Sequence, residues 1–97
     1  MSISKHWTMD RRDRQQVIQS IGMGKPLFSA NIDKGHPAGP ELHTITDTGL
    51  IIIHNAHTKK LVTILIARPT QLTKYGKPVP QSVLKLAKAH QEAGLNC

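Results

Sequence analysis

Hydrophobic and polar residues in the middle of the chain follow the short-period pattern that is typical of β-strands. Residues 41–46 (ELHTIT), 50–55 (LIIIHN) and 61–68 (LVTILIAR) are rich in β-branched residues, and the intervening DTG (47–49) has the composition of a tight turn. A further segment, 26–33 (PLFSANID), favours a first strand. Because the connections between the later strands are short, these strands are expected to pair as antiparallel neighbours. The pattern predicts a β-meander of three to four strands.

Helical patterns flank this meander on both sides. Apolar residues recur at helical spacing over residues 9–23, with Thr8 as the expected N-cap, and again over about 80–93. The glycine- and proline-rich segment 34–40 (KGHPAGP) is expected to form a loop. The sequence therefore predicts an α+β fold with an N-terminal helix, an antiparallel meander and a C-terminal helix, in a single domain spanning residues 1–97.

The chain is strongly basic for its size. Thirteen Lys and Arg against six Asp and Glu give a formal net charge of +7 over 97 residues. Such a charge attracts polyanions, so it favours nucleic acid or an acidic protein as a partner, although it also serves plain solubility. The single cysteine, Cys97, the absence of an apolar leader at the N-terminus, and the absence of a membrane-length apolar run predict a cytoplasmic protein without membrane contact.

Several groups suited to proton transfer and phosphate binding lie at the predicted strand ends. Alternation places Glu41 and His43 on one face of their strand, and Arg68 would close an apolar row at the end of the last strand. His36 lies in the loop just before. Histidine and glutamate suit acid–base catalysis near neutral pH, and arginine matches phosphate oxygens. His36, Glu41, His43 and Arg68 are thus the candidate catalytic residues for RNA cleavage without a metal, and which histidine is the base stays open.

Glu41, His43 and two further polar residues, Thr63 and Tyr75, also have purely structural interpretations. Glu41 is equally well placed as a solvated charge on an edge strand, and His43 as a half-buried strand residue. Thr63 is typical of a β-former that packs its methyl group, and Tyr75 either stacks on a base or anchors its loop.

A metal site is a weaker interpretation of the histidines in HNAH. His54 and His57 flank the predicted turn, but neither a cysteine pair nor a helical HExxH motif accompanies them. They are interpreted as ordinary turn histidines, and neither a metal nor another cofactor is predicted.

Three stretches resemble a known group of proteins. They are GPELHTIT (39–46), the hairpin IIIHNAHTKKLVT (51–63) and ARPTQLTKY (67–75), and the whole region from residue 34 to 76 resembles the superfamily of barnase, EndoU, colicin and RelE-like ribonuclease toxins. The resemblance implies a bacterial toxin that cleaves RNA, with an acidic antitoxin or immunity protein as partner. It implies acid–base roles for His36 or His43 with Glu41, and Arg68 as the phosphate clamp. The implied substrate-binding residues are Lys34, Thr63, Lys74 and Tyr75.

Two other functions compete with this interpretation. One is a non-catalytic nucleic-acid-binding module of phage or regulatory origin, which the basic surface would serve equally well. The chain has only three aromatic residues, Trp7, Phe28 and Tyr75, which disfavours binding of single strands by base stacking. The other is a protein-interaction domain, including a homodimer formed through an edge strand of the meander.

Overall fold

The computed structural model describes residues 11–35 and 37–95, and within the first helix it describes the side chains from residue 14 onward. The elements in chain order are α1 (Arg11–Ile21), β1 (Pro26–Ile32), β2 (Glu41–Thr46), β3 (Leu50–Asn55), β4 (Leu61–Ile66), α2 (Pro69–Thr73) and α3 (Gln81–Glu92). The predicted α+β fold with its N-terminal helix, antiparallel meander and C-terminal helix is confirmed.

All four strands form one antiparallel sheet in the order β1-β2-β3-β4. Consecutive strands are neighbours because the turns between β2, β3 and β4 are too short for any crossover. One row across the sheet joins Ala30, His43, Ile53 and Thr63, so these residues point to the same face. The fourth strand, which the sequence pattern left optional, is present as β1.

Helices pack on both faces of the sheet. On one face, buried Ile45, Ile51 and Ile53 pack with residues of α2 and α3, namely Leu72, Val83 and Ala87. On the other face, Leu50 and Ile66 pack with Ile18 of α1. Because both faces lose their apolar surface to helices, strands β3 and β4 carry apolar residues at nearly every position. None of the helices in the described ranges has the length and apolarity needed to cross a bilayer.

The end of the last strand differs from the prediction. β4 ends at Ile66, and Arg68 is the N-cap of the short helix α2, which the sequence pattern did not indicate. Pro69 occupies the first helical position, and the side-chain oxygen of Gln71 accepts the backbone N–H of Arg68 at 2.8 Å. Pro69 therefore begins a helix. The prediction that Arg68 closes the apolar row of strand β4 is wrong, because β4 ends two residues earlier.

The first helix ends directly before Gly22, within the predicted helical pattern of residues 9–23. α1 ends at Ile21, where Gly22 has φ of 87° and its N–H binds the carbonyl oxygen of Ile18 at 2.8 Å. The proposed N-cap, Thr8, lies outside the described residues.

Candidate active site

Strand β2 holds a carboxylate and an imidazole side by side on the face covered by α2 and α3. Glu41 begins the strand and His43 follows two residues later, so period-two geometry directs both side chains to the same face. His43 is 3% exposed. The Glu41 side chain is 26% exposed, so this group is accessible from solvent where His43 is not.

Both ring nitrogens of His43 have a hydrogen-bond partner. Nε2 lies 3.2 Å from Oε1 of Glu41, and Nδ1 lies 2.8 Å from the hydroxyl oxygen of Tyr75. An ionised carboxylate only accepts hydrogen bonds, so Nε2–H donates to Glu41. In a neutral imidazole Nδ1 is then the acceptor, and the Tyr75 hydroxyl donates to it. The three side chains form one continuous chain, carboxylate to imidazole to phenol, called here the Glu41–His43–Tyr75 chain.

Helix α2 brings Tyr75 to this position. Leu72 within α2 is fully buried in the core on this face of the sheet, so the residues that follow lie back over the strands. The Tyr75 ring meets the rings of Phe28 and His43 edge-on, with centroids 6.0 Å and 5.9 Å away. Burial raises the pKa of the Tyr75 hydroxyl above its ordinary value, which keeps the phenol protonated as a donor to His43.

Two lysines place positive charge over the aromatic rings of the site. Nζ of Lys74 lies 5.4 Å from the Tyr75 ring centroid, and Nζ of Lys77 lies 5.8 Å from the Phe28 ring centroid. Both lysines are exposed, so their ammonium groups are accessible to an anionic ligand.

A concave surface adjoins the carboxylate end of the chain. Glu41 lines an open cavity of about 430 Å³ together with the loop of residues 37–39, Asn55 and Val62. Asn55 donates from Nδ2 to the carbonyl oxygen of Ala38 at 2.9 Å, which ties this loop to the end of β3.

The structure brings together Glu41, His43, Tyr75 and Lys74 from the set named by the sequence. Thr63 points to the same face as His43 but stands two strands away, beyond Ile53.

Three other predicted residues have no contact with the Glu41–His43–Tyr75 chain that the structure establishes. Lys34 is exposed in the loop before β2, and His36 lies outside the described residues. Arg68 lies at the other end of the sheet, because Ala67 binds the carbonyl oxygen of Gly49 whereas Glu41 pairs with Asn55 at the far end. The assigned roles of Lys34, His36 and Arg68 remain predictions.

Phe28 and Lys77 are site neighbours that the sequence pattern did not single out. Phe28 lies on β1 opposite Ile45, and Lys77 follows α2 by four residues. They belong to the site because the Phe28 ring contacts Tyr75 and Lys77 lies over the Phe28 ring. No local sequence motif predicts either contact. Of the two histidines interpreted as turn residues, His54 lies on β3, paired with Leu42 on the opposite face. His57 is exposed in the β3–β4 turn, with its ring beside Gly39.

Among residues 11–35 and 37–95, no three His, Cys, Asp or Glu side chains are grouped as metal ligands. Comparison of the chain with protein-family models, with curated proteins and with solved structures gives no match.

Proposed function

We propose that this protein cleaves RNA by acid–base attack of the 2′-hydroxyl without a metal ion, as a toxin-type endoribonuclease. The observation that supports this most directly is the Glu41–His43–Tyr75 chain, which joins a buried imidazole to a half-buried phenol and a partly exposed carboxylate. The order of groups is that of a hydroxyl activated by a histidine that a carboxylate orients. RNA is the substrate because it carries the internal 2′-hydroxyl nucleophile.

In this mechanism Tyr75 is the group that contacts the nucleophile. Its oxygen accepts the proton of the 2′-hydroxyl while its own proton passes to Nδ1 of His43, 2.8 Å away. The imidazolium that forms is stabilised by the carboxylate of Glu41 at Nε2. Tyr75 is a protonated phenol before and after the transfer, so its raised pKa does not oppose the step.

The leaving 5′-oxygen requires a different acid. In an in-line displacement the attacking and leaving oxygens lie on opposite sides of phosphorus, so one side chain does not reach both. His36, which precedes β2 in the sequence, is the proposed acid. Lys74 and Lys77 supply positive charge for the phosphate beside the aromatic rings.

The first experiment incubates the purified protein with a short RNA in EDTA and follows fragments and 2′,3′-cyclic phosphate ends. The wild type is expected to cut the RNA, while the 2′-O-methyl version of the same oligonucleotide stays intact. Tyr75→Phe is expected to reduce the rate about 10²- to 10⁴-fold, since it removes the proton-accepting hydroxyl but keeps the ring. His54→Gln, on the opposite face of the sheet, is the matched control and is expected to keep the rate.

Cleavage of the 2′-O-methyl oligonucleotide, or equal rates for Tyr75→Phe and His54→Gln, would contradict the proposed chemistry. RNA that is bound but stays intact at excess protein would instead support a non-catalytic nucleic-acid-binding module.

A binding measurement separates the contribution of the lysines from general charge. Lys74→Gln is expected to weaken RNA binding and to reduce the slope of log K against log salt by about one, as for loss of one phosphate contact. Lys85→Gln removes the same charge from an exposed position on α3 and is expected to change the slope less. Equal slopes for the two variants would remove Lys74 from the proposed interface.

A further inference from the structure

The most exposed large hydrophobic residues that the structure describes lie next to each other on strand β4. Leu61 is 55% exposed and Val62 is 52% exposed. Two consecutive residues of a regular strand point to opposite faces, but here Ile53 pairs with Thr63 and His54 with Leu61. Val62 is therefore the extra residue of a β-bulge. Among the described residues β4 is the last strand in the sheet order, so this exposed pair lies at an edge of the sheet.

Open cavities flank this apolar pair on both faces of the sheet. On one face, a cavity of about 140 Å³ lies between β4 and α1, lined by residues 61–64 together with Arg14, Gln15 and Ile18. On the other face, Val62 borders the cavity of about 430 Å³ that Glu41 also lines. Side chains that alternate along an added strand would enter one cavity and then the other.

The two edges of the sheet differ in how well they resist pairing with another chain. At the β1 edge, Pro26 begins the strand, and exposed Ser29 and Asn31 are polar. Proline and polar residues are the usual protection of an edge strand. From Leu61 to Leu65, by contrast, β4 has no charged residue and no proline. This part of β4, residues 61–65 (called here the β4 edge), is thus the more suitable of the two for strand addition.

We propose that the β4 edge docks an extended acidic segment of a partner protein, whose apolar side chains cover Leu61 and Val62. The charge of the surroundings selects an acidic partner: Lys59 and Lys60 are exposed directly before β4, and Arg14 lines the adjacent cavity. A second copy of the chain is disfavoured, because each copy has a formal net charge of +7. This docking does not depend on RNA cleavage.

The test uses a labelled heptapeptide of alternating valine and glutamate, with a valine–lysine peptide of the same length as its charge control. Fluorescence anisotropy of the full chain with the valine–glutamate peptide is expected to show saturable binding below about 1 mM. Amide chemical-shift changes are expected to concentrate in residues 59–65. The double variant Leu61→Ser/Val62→Ser is expected to weaken binding about tenfold or more, because it removes the apolar contact without changing the charge.

The matched control is Leu86→Ser, which removes a 42% exposed leucine from α3 at the same charge. It is expected to bind the peptide as the wild type does, and circular dichroism checks that all variants are folded. Absence of binding at about 1 mM, equal binding of the lysine peptide, or equal loss in the Leu86→Ser variant would overturn the proposal. So would a concentration-dependent dimer that the Leu61→Ser/Val62→Ser change dissolves, since the edge would then serve a second copy.

Discussion

The hydroxyl oxygen of Tyr75 lies 2.8 Å from Nδ1 of His43, across 32 residues of sequence. This contact holds the loop after α2 against strand β2. It also occupies the ring nitrogen of His43 that Glu41 leaves available, so the imidazole is oriented from both sides. The same contact supports the proposed proton transfer and contributes to the packing of this face of the sheet, and the two roles lead to separate measurements.

The Tyr75 hydroxyl is expected to make stability fall at alkaline pH. Burial raises the pKa of Tyr75 above 10.0, so the folded state keeps the proton to higher pH than the unfolded state does. The contribution of the protonated Tyr75 hydroxyl to the free energy of unfolding is therefore fully present below pH 10. This contribution is lost as pH rises from there. Tyr75→Phe is expected to unfold at a urea midpoint that declines less steeply than that of the wild type between about pH 9 and 11.

The comparison isolates this hydroxyl, because Tyr75 is the single tyrosine of the chain and all other residues are the same in the two proteins. Parallel midpoint curves for wild type and variant would contradict the prediction. At neutral pH the same variant is expected to lose about 1–3 kcal/mol, because it leaves the buried Nδ1 of His43 without a hydrogen-bond donor.

Truncation of His43 is expected to destabilise the fold more than truncation of another strand histidine. His43→Ala empties a site that is 3% exposed and leaves the Tyr75 hydroxyl without its acceptor, at an expected cost of about 2–4 kcal/mol in the free energy of unfolding. His54→Ala, half-buried on the other face of β3, is the control and is expected to lose less. Urea denaturation of both variants checks this, and equal losses would show that the hydrogen-bonded chain adds little stability.

His90, in the last turn of α3, is expected to weaken the fold at mildly acidic pH. Burial lowers its pKa below 6.5, so the unfolded state takes up this proton first as pH falls. The contribution of neutral His90 to the free energy of unfolding is present above pH 6.5. It is lost as pH falls through the lower pKa of the folded state. Between about pH 7 and 5, the free energy of unfolding is expected to fall more for the wild type than for His90→Gln. His57→Gln, at an exposed turn, is expected to behave as the wild type does, and the idea fails if the two variants respond alike.

The connection between α1 and β1 offers a pair of glycines that separates backbone strain from crowding. Gly24 and Gly22 both have positive φ, 67° and 87°. A Cβ at Gly24 would meet the side chains of Asp47 and Thr48, whereas a Cβ at Gly22 has nothing within 4 Å. Asp47 is also the acceptor of the Lys25 N–H at 2.9 Å, so the collision would disturb that bond.

Gly24→Ala is therefore expected to cost about 1–2 kcal/mol more than Gly22→Ala. Thermal or urea unfolding of the two variants measures the difference. Equal costs would mean that the turn between β2 and β3 moves aside without penalty.

The strands, the turns between them and the placement of Glu41 and His43 on one face could be predicted from the sequence. These are local properties: strand residues alternate with period two, and turns as short as DTG leave room only for antiparallel neighbours. The helical spacing over about 80–93 was likewise sufficient to predict α3, which spans Gln81–Glu92.

The groups that contact the Glu41 and His43 side chains could not be predicted from the sequence, because they depend on the tertiary structure. The sequence pattern marked Pro69 as the end of a strand, but the five-residue helix α2 is too short for a periodic signal, and it is held in place by Gln71 and by burial of Leu72. That helix carries Tyr75 to His43 and leaves Arg68 at the other end of the sheet. Such contacts depend on the path of the chain over the sheet and on which face each helix covers. Non-local packing determines both, and no single stretch of sequence encodes it.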